Sequence, residues 1–285
     1  AWREAVRALG VKLVPRRYPR LSSIVGWPIW RLSLLARRDP VDLEPFPGFR
    51  TRLYPKENHA DTKCFARACL VDWQEEVALA KVASLTPDNH LYCVDVGANT
   101  GTYSILMAHL ARKAGRNARL VCIEANPQAQ QRLTTNLMFS GLLSQTDIVG
   151  CAVSDRDGAV TLRRSRWNLG SASICTPRKN DPGQTRGAGT YLTVPSRRLL
   201  DIALDAGLPR IDLLKIDIEG HEVPALRPFL RDAPRHLFPR TILAETKHER
   251  DFELSNLLIG AGYEPTLHGR SDTLFTLKGW SSFDP

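Results

Sequence analysis

From residue 91 onward, short apolar runs of strand type alternate with stretches whose apolar positions recur at helical spacing. Strands are predicted at 91–96, 119–123, 147–153, 211–216 and 241–246, and helices at 102–114, 127–140, 196–206, 222–231 and 249–261. The helix at 127 is the best marked, with Asn126 suited to its cap and Pro127 to its first position. This alternation predicts an α/β fold built on a doubly wound, mostly parallel sheet. Two last strands, Tyr263–Leu267 and Thr273–Leu277, are separated by a short polar turn and predict a final antiparallel hairpin, making seven strands. Upstream, a helix is expected from Asp72 to Leu85, with Glu75 and Glu76 in the first turn, where the helix dipole favours acids. Residues 160–195 break the rhythm. Strands at Val160–Leu162 and Tyr191–Val194 flank a loop rich in Gly, Pro and Ser that carries six Lys or Arg between 163 and 186.

Charge divides the chain. Residues 1–60 hold 12 Lys/Arg against 5 Asp/Glu, so seven of the nine net positive charges fall there and the remainder is nearly neutral. We therefore expect a basic N-terminal extension over 1–60 and a catalytic domain over 61–285. Within the extension, residues 41–60 contain several prolines and read as a linker leading into short strands. Leu21 to Leu35 carries Trp27 and Trp30 between flanking arginines. That pattern suits a peripheral membrane contact, a cap over a cleft, or the interface of a homodimer. No apolar run approaches the roughly 20 residues that span a bilayer. Six cysteines (64, 69, 93, 122, 151, 175) show no metal-ligand spacing, and several lie in apolar runs. Free thiols in a reducing, cytoplasmic compartment are the expectation.

The chemistry is concentrated at strand ends. The first apolar run closes as Val94-Asp95-Val96-Gly97-Ala98-Asn99-Thr100-Gly101, before the helical segment that carries Tyr103. Gly97 and Gly101 permit a tight turn that a ligand can approach. The dinucleotide fingerprint is not met, because Asn99 holds the place of its middle glycine. An acid at the end of the strand is also a poor neighbour for a pyrophosphate. The pattern Asp-x-Gly-x-Asn-x-Gly resembles the first motif of class I S-adenosylmethionine-dependent methyltransferases. Glu124, ending the next strand before Ala125-Asn126, can accept both hydroxyls of a ribose or act as a helix-cap acid facing water. Ala152 to Asp155, including Ser154, close the third strand beside the expected adenine, unless they form an ordinary turn. The fourth strand exits as Asp217-Ile218-Glu219-Gly220-His221, which crowds charged groups at the mouth of the sheet. Glu245 ends the fifth, with His248 just beyond as a proton acceptor near neutral pH or simply a helix-start residue.

Taken together, the segments 94–101, Leu214-Lys215-Ile216-Asp217-Ile218-Glu219-Gly220-His221-Glu222 and Leu243-Ala244-Glu245 resemble the FkbM family of methyltransferases. So, in style, do Asn168-Leu169-Gly170-Ser171-Ala172-Ser173 and Val194-Pro195-Ser196. The resemblance covers about residues 91–280 and implies a Rossmann-like class I sheet. S-adenosylmethionine is the implied methyl donor and S-adenosylhomocysteine the product, with no metal assigned. The implied donor site comprises Asp95, Gly97, Ala98, Asn99, Gly101, Tyr103, Glu124, Ala125, Asn126, Ala152, Ser154 and Asp217. The candidates for proton removal are Asp217, Glu245 and His248. The implied reaction is O-methylation of a sugar, glycolipid or natural product, and the basic segments suggest an anionic or lipid-linked acceptor. An RNA methyltransferase is the first alternative. Against it, the exit of the fourth strand lacks the Asn/Asp-Pro-Pro-aromatic motif of many base methylators, and no aromatic basic platform for stacked bases is evident. The second alternative is a non-enzymatic, membrane-associated scaffold with a methyltransferase fold.

Overall fold

The computed structural model describes residues 39–67, 71, 73–86, 88–165, 168–175, 190–247, 252–269 and 271–280. The Trp-bearing basic segment before residue 39, Asp72, most of the basic loop and His248 lie outside the described residues.

In chain order the strands are β1 (Val41–Phe46), β2 (Phe49–Leu53), β3 (His90–Val96), β4 (Asn117–Ile123), β5 (Thr146–Val149), β6 (Ala152–Val153) and β7 (Gly158–Arg164). There follow β8 (Ala172–Ile174), β9 (Thr190–Arg197), β10 (Leu213–Ile216), β11 (Thr241–Glu245), β12 (Tyr263–His268) and β13 (Asp272–Leu277). The helices are α1 (His59–Arg67), α2 (Trp73–Leu85), α3 (Thr102–Lys113), α4 (Pro127–Phe139), α5 (Leu199–Asp205), α6 (Glu222–Asp232) and α7 (Glu253–Gly260).

Seven strands form the central sheet in the order β12-β13-β11-β10-β3-β4-β5. Neighbours from β11 to β5 run parallel, while β13 is antiparallel to both β11 and β12. The middle strands read as near-continuous apolar runs because helices cover both faces. Alternate residues serve different layers. Leu91 and Cys93 of β3 join Leu79 of α2 and Ile105 of α3 in one core. Val94 and Val96 join Leu226 and Phe229 of α6 and Leu258 of α7 in the other.

Three elements depart from the expectation. The predicted strand 147–153 is two strands in two sheets. The chain leaves the central sheet at Gly150, where a side chain would press on the Gln130 amide (2.8 Å to Nε2), and β6 joins a second sheet of order β6-β9-β7-β8. The helix expected from Ser196 begins at Leu199. β9 stays paired with β7 as far as Ser196, opposite Gly158, and Arg198 N–H is held by the Asp157 carboxylate at 3.0 Å. The last helix begins at Glu253 rather than 249.

The hairpin β1–β2 lies within the stretch read as an extension, and its apolar face is part of the main core. Val41, Phe46, Phe49 and Leu53 are all buried there. Phe46 stacks on His109 of α3 at 3.9 Å between ring centroids, and the Arg112 guanidinium lies 4.1 Å over the Phe49 ring. Arg52 N–H donates to Asn136 Oδ1 of α4 at 2.7 Å, which fixes β2 against that helix. No helix among the described residues is long and apolar enough to cross a membrane.

Phe49→Ala is expected to cost about 3–5 kcal/mol, as for other fully buried aromatics. Urea unfolding monitored by circular dichroism measures it; an unchanged midpoint would mean that the hairpin contributes nothing to the folded core.

Candidate active site

Strand register places the chemistry. Val96 of β3 lies opposite Ile216 of β10 and Ile123 of β4, and Ile216 lies opposite Ala244 of β11. The next residue along each strand, namely Gly97, Asp217, Glu124 and Glu245, therefore stands at the same carboxyl edge. This is where open parallel sheets bind ligands. A cleft of about 680 Å³ opens there, within the usual size of a small-molecule site.

The glycine turn is locked to its neighbours. Gly97 and Ala98 N–H both donate to Ile123 O, at 2.9 and 3.0 Å. Gly97 has φ of 78°, and a Cβ there would lie 2.0 Å from the carbonyl oxygen of Asp217, a distance no side chain can accept. Asn99 is also left-handed (φ 51°), and its N–H donates to Glu124 Oε2 at 2.8 Å. The other Glu124 oxygen accepts from Asn126 N–H at 2.7 Å. Burial pushes the Glu124 carboxyl up to about 7 against these bonds. Each carboxylate oxygen keeps a second lone pair for a ligand hydroxyl.

The turn is roofed by two segments distant in sequence. Asn58 Nδ2 donates to Asn99 Oδ1 at 2.9 Å, and Thr100 Oγ1 donates to the buried Asp61 carboxylate at 2.8 Å. Residues 168–171 fasten this roof. Leu169 N–H donates to Glu57 O (2.8 Å), the Asn168 side chain accepts from His59 N–H (3.1 Å), and Asn126 Nδ2 donates to Leu169 O (3.3 Å). Gly170 lies so close to Asn99 that a Cβ would come within 2.5 Å of Nδ2.

On the β10–β11 side the site is ionic. Lys215 is almost wholly buried, with Nζ 3.2 Å from Asp217, 3.8 Å from Asp272 and 4.8 Å from the centre of the Tyr103 ring. Burial alone would discharge it, but Asp217, Asp272 and Asp95 together keep the ammonium. Burial likewise opposes ionisation of Asp217. The Lys215 charge and a hydrogen bond from Glu245 overcome it, so Asp217 lies below the ordinary carboxylate range. Glu245 moves the other way, raised by burial and by the Asp217 and Glu219 charges. The pair thus holds one proton, on Glu245. Tyr103 donates to Glu75 Oε2 at 2.7 Å, closing this corner.

Of the residues expected from the sequence, Gly97, Ala98, Asn99, Tyr103, Glu124, Ala125, Ala152, Asp217 and Glu245 line one cleft. Asp95, Gly101, Asn126 and Ser154 do not. Asp95 is buried beneath the turn, accepting from Ser104 Oγ at 2.5 Å, and Gly101 caps α3 with φ of 91°. Asn126 caps α4, and Ser154 bonds the His221 ring at 3.0 Å. Sequence reasoning passed over Asn58, Lys63, Glu75, Lys215 and Asp272, which also line the cleft. Only Lys215 carried a signal, being a charge inside an apolar strand. Among the described residues no group of three His, Cys, Asp or Glu is arranged to hold a metal ion.

Fold and cleft together define a Rossmann-like α/β protein with an open cleft across the carboxyl edge of its sheet. The chain belongs to the family defined by the methyltransferase FkbM domain, whose profile matches residues 95–270. Methyltransferase sdnD of Sordaria araneosa is 27% identical over 157 residues, covering 48% of this chain and 59% of that protein. The 2-O-methyltransferase NoeI of Sinorhizobium fredii is 30% identical over 151 residues, covering 50% and 58%. The chain thus matches less than two thirds of the length of either relative. Among solved structures, a methyltransferase FkbM from Methylobacillus flagellatus aligns over 66% of this chain and 44% of its own, with 20% identity and a TM-score of 0.43. A SAM-dependent methyltransferase from Agrobacterium tumefaciens aligns over 86% and 71%, with 13% identity and a TM-score of 0.45.

Two outcomes follow from this geometry. Gly97→Ala should destabilise the fold by about 3 kcal/mol or more, since left-handed strain adds to a backbone collision. Gly115→Ala, with φ of 72° and open space around it, should cost only about 1–2 kcal/mol. Equal costs in denaturant melts would contradict the contact between Gly97 and Asp217. The second concerns pH. The folded chain holds the Glu124 proton more tightly than the unfolded chain, so this group's contribution makes stability fall as pH rises from about 4.5 to about 7. Glu124→Gln should remove that part of the slope, and urea midpoints measured across the interval report it.

Proposed function

We propose that the chain transfers a methyl group from S-adenosylmethionine to a hydroxyl of a sugar or related small molecule. The observation that carries this reading is the alignment, at one sheet edge, of the glycine turn, the Glu124 carboxylate and the Asp217–Glu245 pair. Membership of the FkbM methyltransferase family supports the donor, and the name of one relative, a 2-O-methyltransferase, supports a hydroxyl acceptor.

The residues present fit that donor. Glu124 offers two oxygens, each already aimed by one backbone N–H, to the hydroxyls of a ribose. Ile123, Ala152, Val153 and Leu162 line the β4 side of the cleft and suit an adenine face. Gly97 lets the ligand approach bare backbone, and the acids beside β10 and β11 suit the positive charge of an amino-acid end. Bound there, S-adenosylmethionine would supply an electrophilic methyl on its sulfonium.

The remaining task belongs to the protein. The cleft holds the acceptor oxygen in line with that methyl, and such alignment is worth a large part of the barrier. Asp217, kept ionised by Lys215, takes the hydroxyl proton as the oxygen attacks. Glu245 already carries a proton, which leaves Asp217 as the base of the two.

Calorimetric titration tests the donor site. Wild type should bind S-adenosylhomocysteine in the micromolar range, roughly −8 kcal/mol, and Glu124→Ala should weaken this at least about tenfold. Equal binding by the variant would remove Glu124 from the site. With labelled donor and a panel of glycans, Asp217→Asn should lower transfer by about 10²–10⁴-fold.

A further inference from the structure

The β10–β11 side of the cleft is lined by five acids, Glu75, Asp217, Glu219, Glu245 and Asp272. Glu245 apart, which burial and the neighbouring charges keep protonated, their field attracts a sulfonium and an ammonium but repels a carboxylate. A methyl donor that ends in an amino acid brings both signs to this place. Its carboxylate therefore needs a cation that the acids have not already engaged.

Three lysines line the cleft: Lys63, Lys215 and Lys247. Lys215 is occupied by Asp217 and Asp272. Lys63 and Lys247 are exposed, and neither makes an ion pair with a described residue. They differ in anchorage. Lys247 follows β11, held there by backbone bonds to Ser271. Lys63 stands on α1, two residues from Asp61, whose carboxylate is bonded to Thr100 of the glycine turn. Its charge also reaches Asp217 across the cleft without touching it. A cation held beside the donor's own turn, on the cleft wall across from the acids, is placed to take the carboxylate half of an amino acid.

We infer that Lys63 is the residue that binds the α-carboxylate of the methyl donor. This rests on reading the cleft as a donor site. An ion pair of this type restrains the amino-acid end while Glu124 restrains the ribose, so the sulfonium between them is held from both sides.

Calorimetry with two ligands tests it without knowledge of the acceptor. S-adenosylhomocysteine has the amino-acid end; methylthioadenosine lacks it. Lys63→Met should weaken S-adenosylhomocysteine about tenfold or more, as expected for loss of a charge-assisted contact, and leave methylthioadenosine within about twofold. Lys63→Arg should restore most of the affinity, and Lys247→Met should bind both ligands like wild type. The inference is overturned if Lys63→Met binds S-adenosylhomocysteine normally, if it loses both ligands equally, or if the loss belongs to Lys247→Met instead. Should wild type bind neither ligand, the donor reading itself fails, an outcome separable from a silent Lys63. Lys63 is exposed, so its variants should keep the wild-type thermal midpoint, and that check accompanies the titrations.

Discussion

A single ammonium group inside the sheet organises the carboxyl edge at which the cleft opens. Lys215 is flanked by Asp95 on β3, faces Asp217 one turn of the pleat further along its own strand, and reaches Asp272 on β13. An ionised lysine in that position is tolerable only because acids surround it. The converse also holds. The three carboxylates gathered around the lysine would repel one another and take up protons if it were absent. The pairing favours the charged form of Asp217 and the protonated form of its neighbour Glu245. The proposed proton removal by Asp217 rests on that asymmetry rather than on either residue alone.

Most of the central sheet was legible in the sequence because its strands are buried on both faces and its helices on one. The period changes from strand to helix are therefore sharp, as at Val94–Gly101 and Asn126–Pro127. Strand ends marked the site for the same reason: register follows from pairing, and a polar residue after an apolar run falls at the sheet's edge. What escaped was whatever depends on contacts between distant segments. Nothing local at Asn58 or Lys63 announces a cleft residue, because both reach the site through α1 packing on the glycine turn. Glu75 looked like a dipole-favoured acid in a first turn, and it is one, yet its partner is Tyr103. The break at Gly150 was missed because 147–153 is apolar on both sides of it; both halves are strand, but in different sheets.

Asp95 and Asn126 show a second kind of difference between motif and geometry. Both stand within the motif, and both act at one remove. Asp95 holds Ser104 of α3 and balances Lys215, while Asn126 caps α4 and ties the 168–171 segment to it. A motif records everything needed to build a turn, including groups that never meet the ligand. Sorting them requires knowing which way each side chain points.

The contact between Gly97 and the Asp217 carbonyl carries an implication for how such a site can vary. The turn that would cradle the methyl donor and the strand end that carries Asp217 touch through main chain, with no side chain between them to absorb error. The two therefore behave as one corner piece, and a displacement of either is handed to the other within a bond length. On the proposed reading, acceptor preference can drift through the second sheet and the loops above the cleft, while the distance from methyl to base would stay under the control of a missing methyl group at position 97.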